Sequence, residues 1–270
     1  MRRSKKTAKT YPVFVSIAAH RGRVRIANED NFYADILGIR EAEELCGHRV
    51  LDHSASYVFG VFDGMGGEQF GDKASEIAAR TMGEFSENIK NAAVEDLHAA
   101  VTEYAREANR RICRMAEERL ADVSGSTFVM ACVRRNLVYP FSIGDSRIYY
   151  RTGRKLYRIS EDQTVAMKKL KAGIYTDEEA RRSADSHKLT TFLGVDCENI
   201  GLRTLRYEPL DLNSGEVLLC SDGLTDMCTD KEILRGMQKY DDEFAAQHLV
   251  EIALKNGGAD NVTCMVIRKA

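Results

Sequence analysis

Glu29, Asp30, Asp63, Asp145, Asp222 and Asp260 each stand at the end of an apolar, strand-like run of the chain. Carboxylates at such places are poor core groups and good ligands for hard cations. The clearest case is Tyr57-Val58-Phe59-Gly60-Val61-Phe62, which gives way to Asp63-Gly64-Met65-Gly66-Gly67, a turn whose glycines let the backbone bend around whatever Asp63 binds. The same layout recurs where residues 216–221 run into Asp222-Gly223 and where residues 137–143 run into Gly144-Asp145-Ser146-Arg147. It recurs in reverse where Asp260-Asn261 opens the run 262–267. One Asp-Gly after a strand is most often an ordinary turn. Several in one chain, with no histidine or cysteine among them, point to a metal site built of oxygen donors.

The elements that must position these groups follow from periodicity. Short strands are predicted at 13–19 and 31–36, a hairpin or loop over 38–56, and a strand at 57–62. Ile77, Ala78, Met82, Phe85 and Ile89 recur at helical spacing, as do Val94, Leu97, Val101, Tyr104, Ala108, Ile112 and Met115. Their opposite faces are charged, so each helix covers a sheet on one side. Strands close together at 127–133, 137–143, 147–151 and 155–159 imply an antiparallel meander. Short helices are expected at 163–173 and 177–183, the second with Thr176 as N-cap and Glu179 three residues on. Strands at 202–207 and 216–221, helices at 230–238 and 242–255, and a last strand complete the pattern. This order suggests an α+β fold of two sheets packed together with helices outside.

At 270 residues, with 44% hydrophobic and 30% charged residues, the chain has the makings of an ordinary globular core. A formal net charge of -2 argues against nucleic acid as its main partner. The seven cysteines are scattered without any CxxC spacing, which suits a reducing compartment and excludes a zinc site or disulfide framework. Three prolines and no repeat or low-complexity stretch give no linker, so residues 11–270 are expected to form one domain behind a disordered basic tail at 1–10. No stretch approaches the ~20 apolar residues of a membrane span.

Taken in order, Arg25-Ile26-Ala27-Asn28-Glu29-Asp30, Asp63-Gly64-Met65-Gly66-Gly67, Ser124-Gly125-Ser126-Thr127, Gly144-Asp145-Ser146-Arg147, Leu193-Gly194, Ser221-Asp222-Gly223-Leu224 and Asp260-Asn261-Val262-Thr263 form a specific pattern. The pattern resembles the metal-dependent protein serine/threonine phosphatases, the protein phosphatase 2C or PPM family, from about residue 13 to residue 267. The resemblance implies an α-β-β-α sandwich with two mainly antiparallel central sheets. It implies that Glu29, Asp63, the Gly64 carbonyl, Asp222 and Asp260 hold two Mg²⁺ or Mn²⁺ ions, and that Asp145 and Asp226 complete, with Asp222, the third and weaker site of bacterial-type members. It further implies that Asp30 orients metal-bound water and that Arg25 binds phosphate. The partners would be serine- or threonine-phosphorylated proteins, substrates of a protein kinase, and the protein a cytoplasmic monomer. The competing reading is a pseudophosphatase that binds phosphoproteins without turnover, against which stands the completeness of the ligand set.

The chemistry asks for these residue types on its own account. Phosphate-monoester hydrolysis needs as much as ~10²¹-fold acceleration, beyond a lone acid or base. Paired cations can activate water, neutralise phosphate oxygens and stabilise an in-line displacement. An arginine adds a planar fork for two phosphate oxygens. Many eukaryotic members of the family carry histidine where this chain has Met65, and a thioether donates no proton. Methionine there resembles the bacterial members. Residues 164–191 correspond to the family's flap, and its cations, Lys168, Lys169, Lys171, Arg181, Arg182, His187 and Lys188, are candidates to meet an acidic phosphopeptide.

Overall fold

The computed structural model describes residues 12–52, 54–66, 70–120, 124–195, 198, 201–239 and 243–270. The basic tail at 1–10, Gly67, Cys197 and Asp242 lie outside them. The first part of the chain supplies β1 (Val13–His20), β2 (Asn31–Ala34), β3 (Gly38–Ile39), β4 (Leu45–Leu51), β5 (Ser56–Phe62) and β6 (Gly64–Met65), then α1 (Gly71–Asn91) and α2 (Leu97–Glu118). The middle holds β7 (Gly125–Ser126), β8 (Phe128–Arg134), β9 (Leu137–Ile143), β10 (Arg147–Thr152), β11 (Lys155–Arg158), α3 (Val165–Lys171), α4 (Asp177–Arg182) and a 3-10 turn at Ala184–His187. The last part adds β12 (Leu205–Arg206), β13 (Leu210–Asp211), β14 (Glu216–Cys220), α5 (Asp222–Met227), α6 (Asp230–Lys239), α7 (Ala245–Lys255) and β15 (Val262–Lys269).

Two antiparallel sheets carry the architecture. One runs β11-β10-β14-β15-β1-β4; the other runs β12-β9-β8-β5-β2-β3, with β13 also pairing β9. Period-two alternation assigns each strand's side chains to two layers. In β14, Val217 and Leu219 pack between the sheets while Leu218 and Cys220 face α5, α6 and α7. In β8, Val129, Ala131 and Val133 take the inter-sheet layer while Phe128, Met130 and Cys132 meet α1 and α2. The result is helix, sheet, sheet, helix, and the expected α-β-β-α sandwich is the observed one. Both central strands are buried on both faces, which is why their sequences are almost continuously apolar.

The departures from expectation are local. The polar stretch after residue 38 contains β4, an edge strand paired to β1, whose mixed sequence and partly exposed residues leave no apolar alternation to read. The expected strand at 202–207 shrinks to Leu205–Arg206. Asp222, expected in a turn, is the first residue of α5, a helix of 6 residues, too short for periodicity to register. The capping box at Thr176 and Glu179 forms as expected.

Candidate metal centre

The acidic positions meet because the register of both sheets brings their strand ends to one edge of the sandwich. Asn31 pairs with Phe62, which sets Asp30 beside Asp63. Cys220 pairs with Cys264, and the Ser221 amide donates to the Thr263 carbonyl at 3.0 Å, which sets Asp222 beside Asp260. Thr127 joins the two halves of this edge: its amide donates to the Asp63 carbonyl at 2.9 Å and its hydroxyl lies 2.7 Å from that of Ser146, next to Asp145.

Hydrogen bonds fix the loops that carry the ligands. The Asn261 side chain accepts from the Glu29 amide at 2.8 Å and donates to the Arg21 and Ala27 carbonyls at 2.8 and 2.9 Å, so one buried amide pins the whole segment before β2. Ser221 donates to Asp30 Oδ2 at 2.7 Å while its oxygen accepts from the Thr263 amide at 2.9 Å. Two glycines permit the close approach. A Cβ on Gly64 would stand 2.2 Å from the Gly71 carbonyl oxygen and 2.4 Å from that of Glu29, and one on Gly223 would stand 1.9 Å from the Asn261 carbonyl oxygen. Asn261, Ser221 and Thr127 lie inside motifs read from the sequence, yet their positioning roles were not assigned there because their partners are remote in the chain.

The electrostatics are those of crowded, desolvated carboxyls. Burial pushes Asp30 up to about 7 and Asp222 up to about 6, with neighbouring aspartates adding to both. Asp63 and Asp145 are driven well above the carboxylate range by burial and then by the charge of Asp222. Asp63 and Asp222 are neighbours, and the charge of Asp222 disfavours that of Asp63. Glu29 and Asp226, both also shifted upward by burial, lie at the rim. Arg147, whose charge reaches Asp145, is itself committed to Asp162 at 2.9 Å. Arg25 sits half-exposed, its Nη2 2.7 Å from Asp260 Oδ2. A set of buried oxygen donors that repel one another is costly as bare charge and is relieved by hard divalent cations, so the residues present fit such ions.

The structure therefore brings Asp30, Asp63, Asp145 and Asp222 together, with Glu29, the Gly64 backbone, Asp226 and the Arg25–Asp260 pair around them. His20 stands apart from this chemistry as a loop anchor: Nδ1 accepts from the Gly22 amide at 2.9 Å and Nε2 lies 3.1 Å from Glu44. Beside the centre runs a cleft of about 1070 Å³, whose lining includes Asp145, Asp222 and Asp226 together with Arg181 and His187 of the segment 164–191. The segment 164–191 is closed on itself, with the Thr190 amide donating to the Gln163 carbonyl at 2.7 Å. Several of its cations are taken by local carboxylates, Lys169 and Lys188 by Asp185, Lys171 by Glu161 and Arg182 by Glu178.

Comparison with known proteins agrees with this reading of the fold. A family model described as protein phosphatase 2C matches residues 46–257. The chain is 28% identical over 255 residues to the serine/threonine phosphatase stp of Listeria welshimeri, covering 92% of this chain and 93% of that one. The crystal structure of the Mycobacterium tuberculosis serine/threonine phosphatase PstP/Ppp superposes with a TM-score of 0.78 at 26% identity, over 96% of this chain and 99% of that one. The catalytic domain of PstP in complex with two manganese ions superposes with a TM-score of 0.75 at 26% identity, over 96% of this chain and 99% of that one.

Proposed function

The chain belongs to the protein phosphatase 2C family, and from that membership we propose that it hydrolyses phosphoserine and phosphothreonine on proteins at the carboxylate-rich edge of its sandwich. It is a metal-dependent serine/threonine protein phosphatase of the bacterial type. The observation that carries the assignment of the site is the crowding of Asp30, Asp63, Asp145 and Asp222, all held protonatable by burial, beside an arginine.

In the proposed assignment Glu29, Asp63, the Gly64 carbonyl, Asp222 and Asp260 hold two Mn²⁺ or Mg²⁺ ions, and Asp145 and Asp226 complete a weaker third site with Asp222. Bound there, the ions supply Lewis-acid activation of water and neutralise phosphate oxygens. Arg25 grips two phosphate oxygens with its planar fork and holds phosphorus in line for attack. Asp30, fixed by the Ser221 hydroxyl, orients the attacking water and accepts its hydrogen bond. Asn261 and Ser221 hold these groups in place without touching substrate. Met65 has no proton to give, so the leaving serine or threonine oxygen is protonated from a source other than residue 65.

The substrates are phosphoproteins, and the kinase-opposing, cytoplasmic, monomeric character is proposed with them. No helix among the described residues is long and apolar enough to cross a membrane. Cys132, Cys220 and Cys264 are buried thiols within strands, as suits a reducing compartment. Residues 11–270 are proposed as one catalytic domain, with the flap at about 164–191.

The test is phosphate release from a phosphothreonine peptide with and without Mn²⁺, comparing the native chain with Asp222→Asn. Turnover that requires both the ion and Asp222 is expected. Bound Mn²⁺ without turnover would replace the hydrolase with a phosphoprotein-binding module.

A further inference from the structure

The flap carries a group that the carboxylate ligand set leaves out. His187 ends the 3-10 turn at Ala184–His187, and its Nδ1 lies 3.8 Å from Asp226 Oδ2. One ligand atom each of His187, Asp222 and Asp226 falls within 4.8 Å of the others. Asp222 and Asp226 sit one turn apart on α5, so both carboxylates rise from the same short helix toward the imidazole across the cleft. The side chains of His187 and Asp226 are 62% and 34% exposed, which makes the place open to ions in solution.

The turn that presents His187 is firmly held. Asp185, two residues earlier, accepts from Lys169 at 2.5 Å, Lys188 at 2.9 Å and Tyr175 at 3.0 Å, and its amide donates to Ser183 at 3.1 Å. The Val165 amide donates to the Lys188 carbonyl at 2.8 Å, tying the turn back to α3. The imidazole therefore hangs from a fixed turn over the open face of α5, with a donor atom within 4.8 Å of a carboxylate oxygen of both Asp222 and Asp226. An ordinary surface ion pair would need only one of them.

We infer that His187 is a protein ligand of a divalent transition-metal ion shared with Asp222 and Asp226, so that this ion joins the flap to the catalytic edge. The inference rests on the metal-dependent reading above and goes beyond it in assigning a nitrogen donor from the flap. Imidazole favours first-row transition ions over Mg²⁺, whereas carboxylate oxygens alone serve Mg²⁺ well. The site is thus expected to distinguish Mn²⁺ from Mg²⁺ more sharply than the core carboxylates do. Occupancy would also hold the flap in one position relative to α5, since the ion bridges the two.

The experiment is Mn²⁺ binding to the full chain, followed by pulsed electron paramagnetic resonance, for the native protein, His187→Gln and Asp222→Asn. The native protein at three equivalents of Mn²⁺ should show ¹⁴N coupling from a directly bound imidazole. His187→Gln should lose that coupling, keep the two tighter ions, and bind the third at least about tenfold more weakly. Absence of ¹⁴N coupling in the native protein, or an unchanged third affinity in His187→Gln, would overturn the inference while two tightly bound ions left the phosphatase reading intact. Failure of the native chain to bind Mn²⁺ at all would overturn both.

Discussion

Arg25 Nη2 stands 2.7 Å from Asp260 Oδ2, so the guanidinium proposed to grip phosphate rests against a carboxylate proposed to hold a cation. A cation bound at Asp260 would compete with the arginine for that oxygen and would free the fork to turn toward phosphate. Arg25→Ala should lower kcat/KM on a phosphothreonine peptide by about 10²–10³-fold, the usual cost of one well-placed donor to a developing anion. Arg25→Lys should recover only part of this, because an ammonium cannot bind two oxygens in a plane. Equal kinetics for the lysine variant and the native chain would count against the role.

Asp63 and Asp222 set activity against stability. Each is buried among like charges, so Asp63→Asn should raise the melting temperature of the chelator-treated protein by about 2–8 °C, the equivalent of roughly 1–2 kcal/mol. The same change should cut Mn²⁺-dependent turnover by about 10³-fold. Differential scanning calorimetry in EDTA and a phosphate-release assay in Mn²⁺ measure the two halves.

The pH dependence of stability should change sign with the ion. Asp30 and Asp222 titrate in the folded, metal-free protein at about 7 and about 6, above their ordinary value of 3.8. The folded state then holds protons that the unfolded chain releases, so stability is greatest at low pH within this window and is lost as pH rises from about 4 to 7. In EDTA the melting temperature should fall over that range. In saturating Mn²⁺ it should rise, because protons and ions compete for the same oxygens. A melting temperature in EDTA that climbs from pH 4 to 7 would refute the crowding of these carboxyls.

Asn261 should behave as a structural clamp with a functional readout. Asn261→Ala leaves the Glu29 amide and two carbonyls without their partner, a loss of about 2–4 kcal/mol. Because Glu29 and Arg25 lie on the segment so released, Mn²⁺ affinity and phosphopeptide KM should both worsen at temperatures where the variant remains folded. Calorimetry with Mn²⁺ titration separates that effect from simple unfolding.

What could be read from the chain was its chemistry at strand ends. Asp63 after the run 57–62 and Asp260 before the run 262–267 announce themselves because strand, glycine and carboxylate are contiguous in sequence. The split into inter-sheet and outer layers was not legible in β8 and β14, whose almost continuously apolar sequences mark cover on both faces without saying which residue meets which layer. The edge strand β4 was not legible either, since only its partner β1 gives it a reason to be extended. Nor was the helix that starts at Asp222, whose six residues span less than two turns. The Asn261 clamp and the approach of His187 to α5 depend on contacts between remote parts of the chain, and neither residue type alone carries a signal for them.

β15, the last strand, lies in the interior of its sheet, paired on one side with β1 from the start of the chain and on the other with β14. A growing polypeptide that has not yet released residues 262–269 from the ribosome lacks the strand that unites its beginning with Asp222, and has no surface on which Asn261 can pin the Glu29 segment. The carboxylate-rich edge can consequently close only once this strand has emerged and paired with β1 and β14.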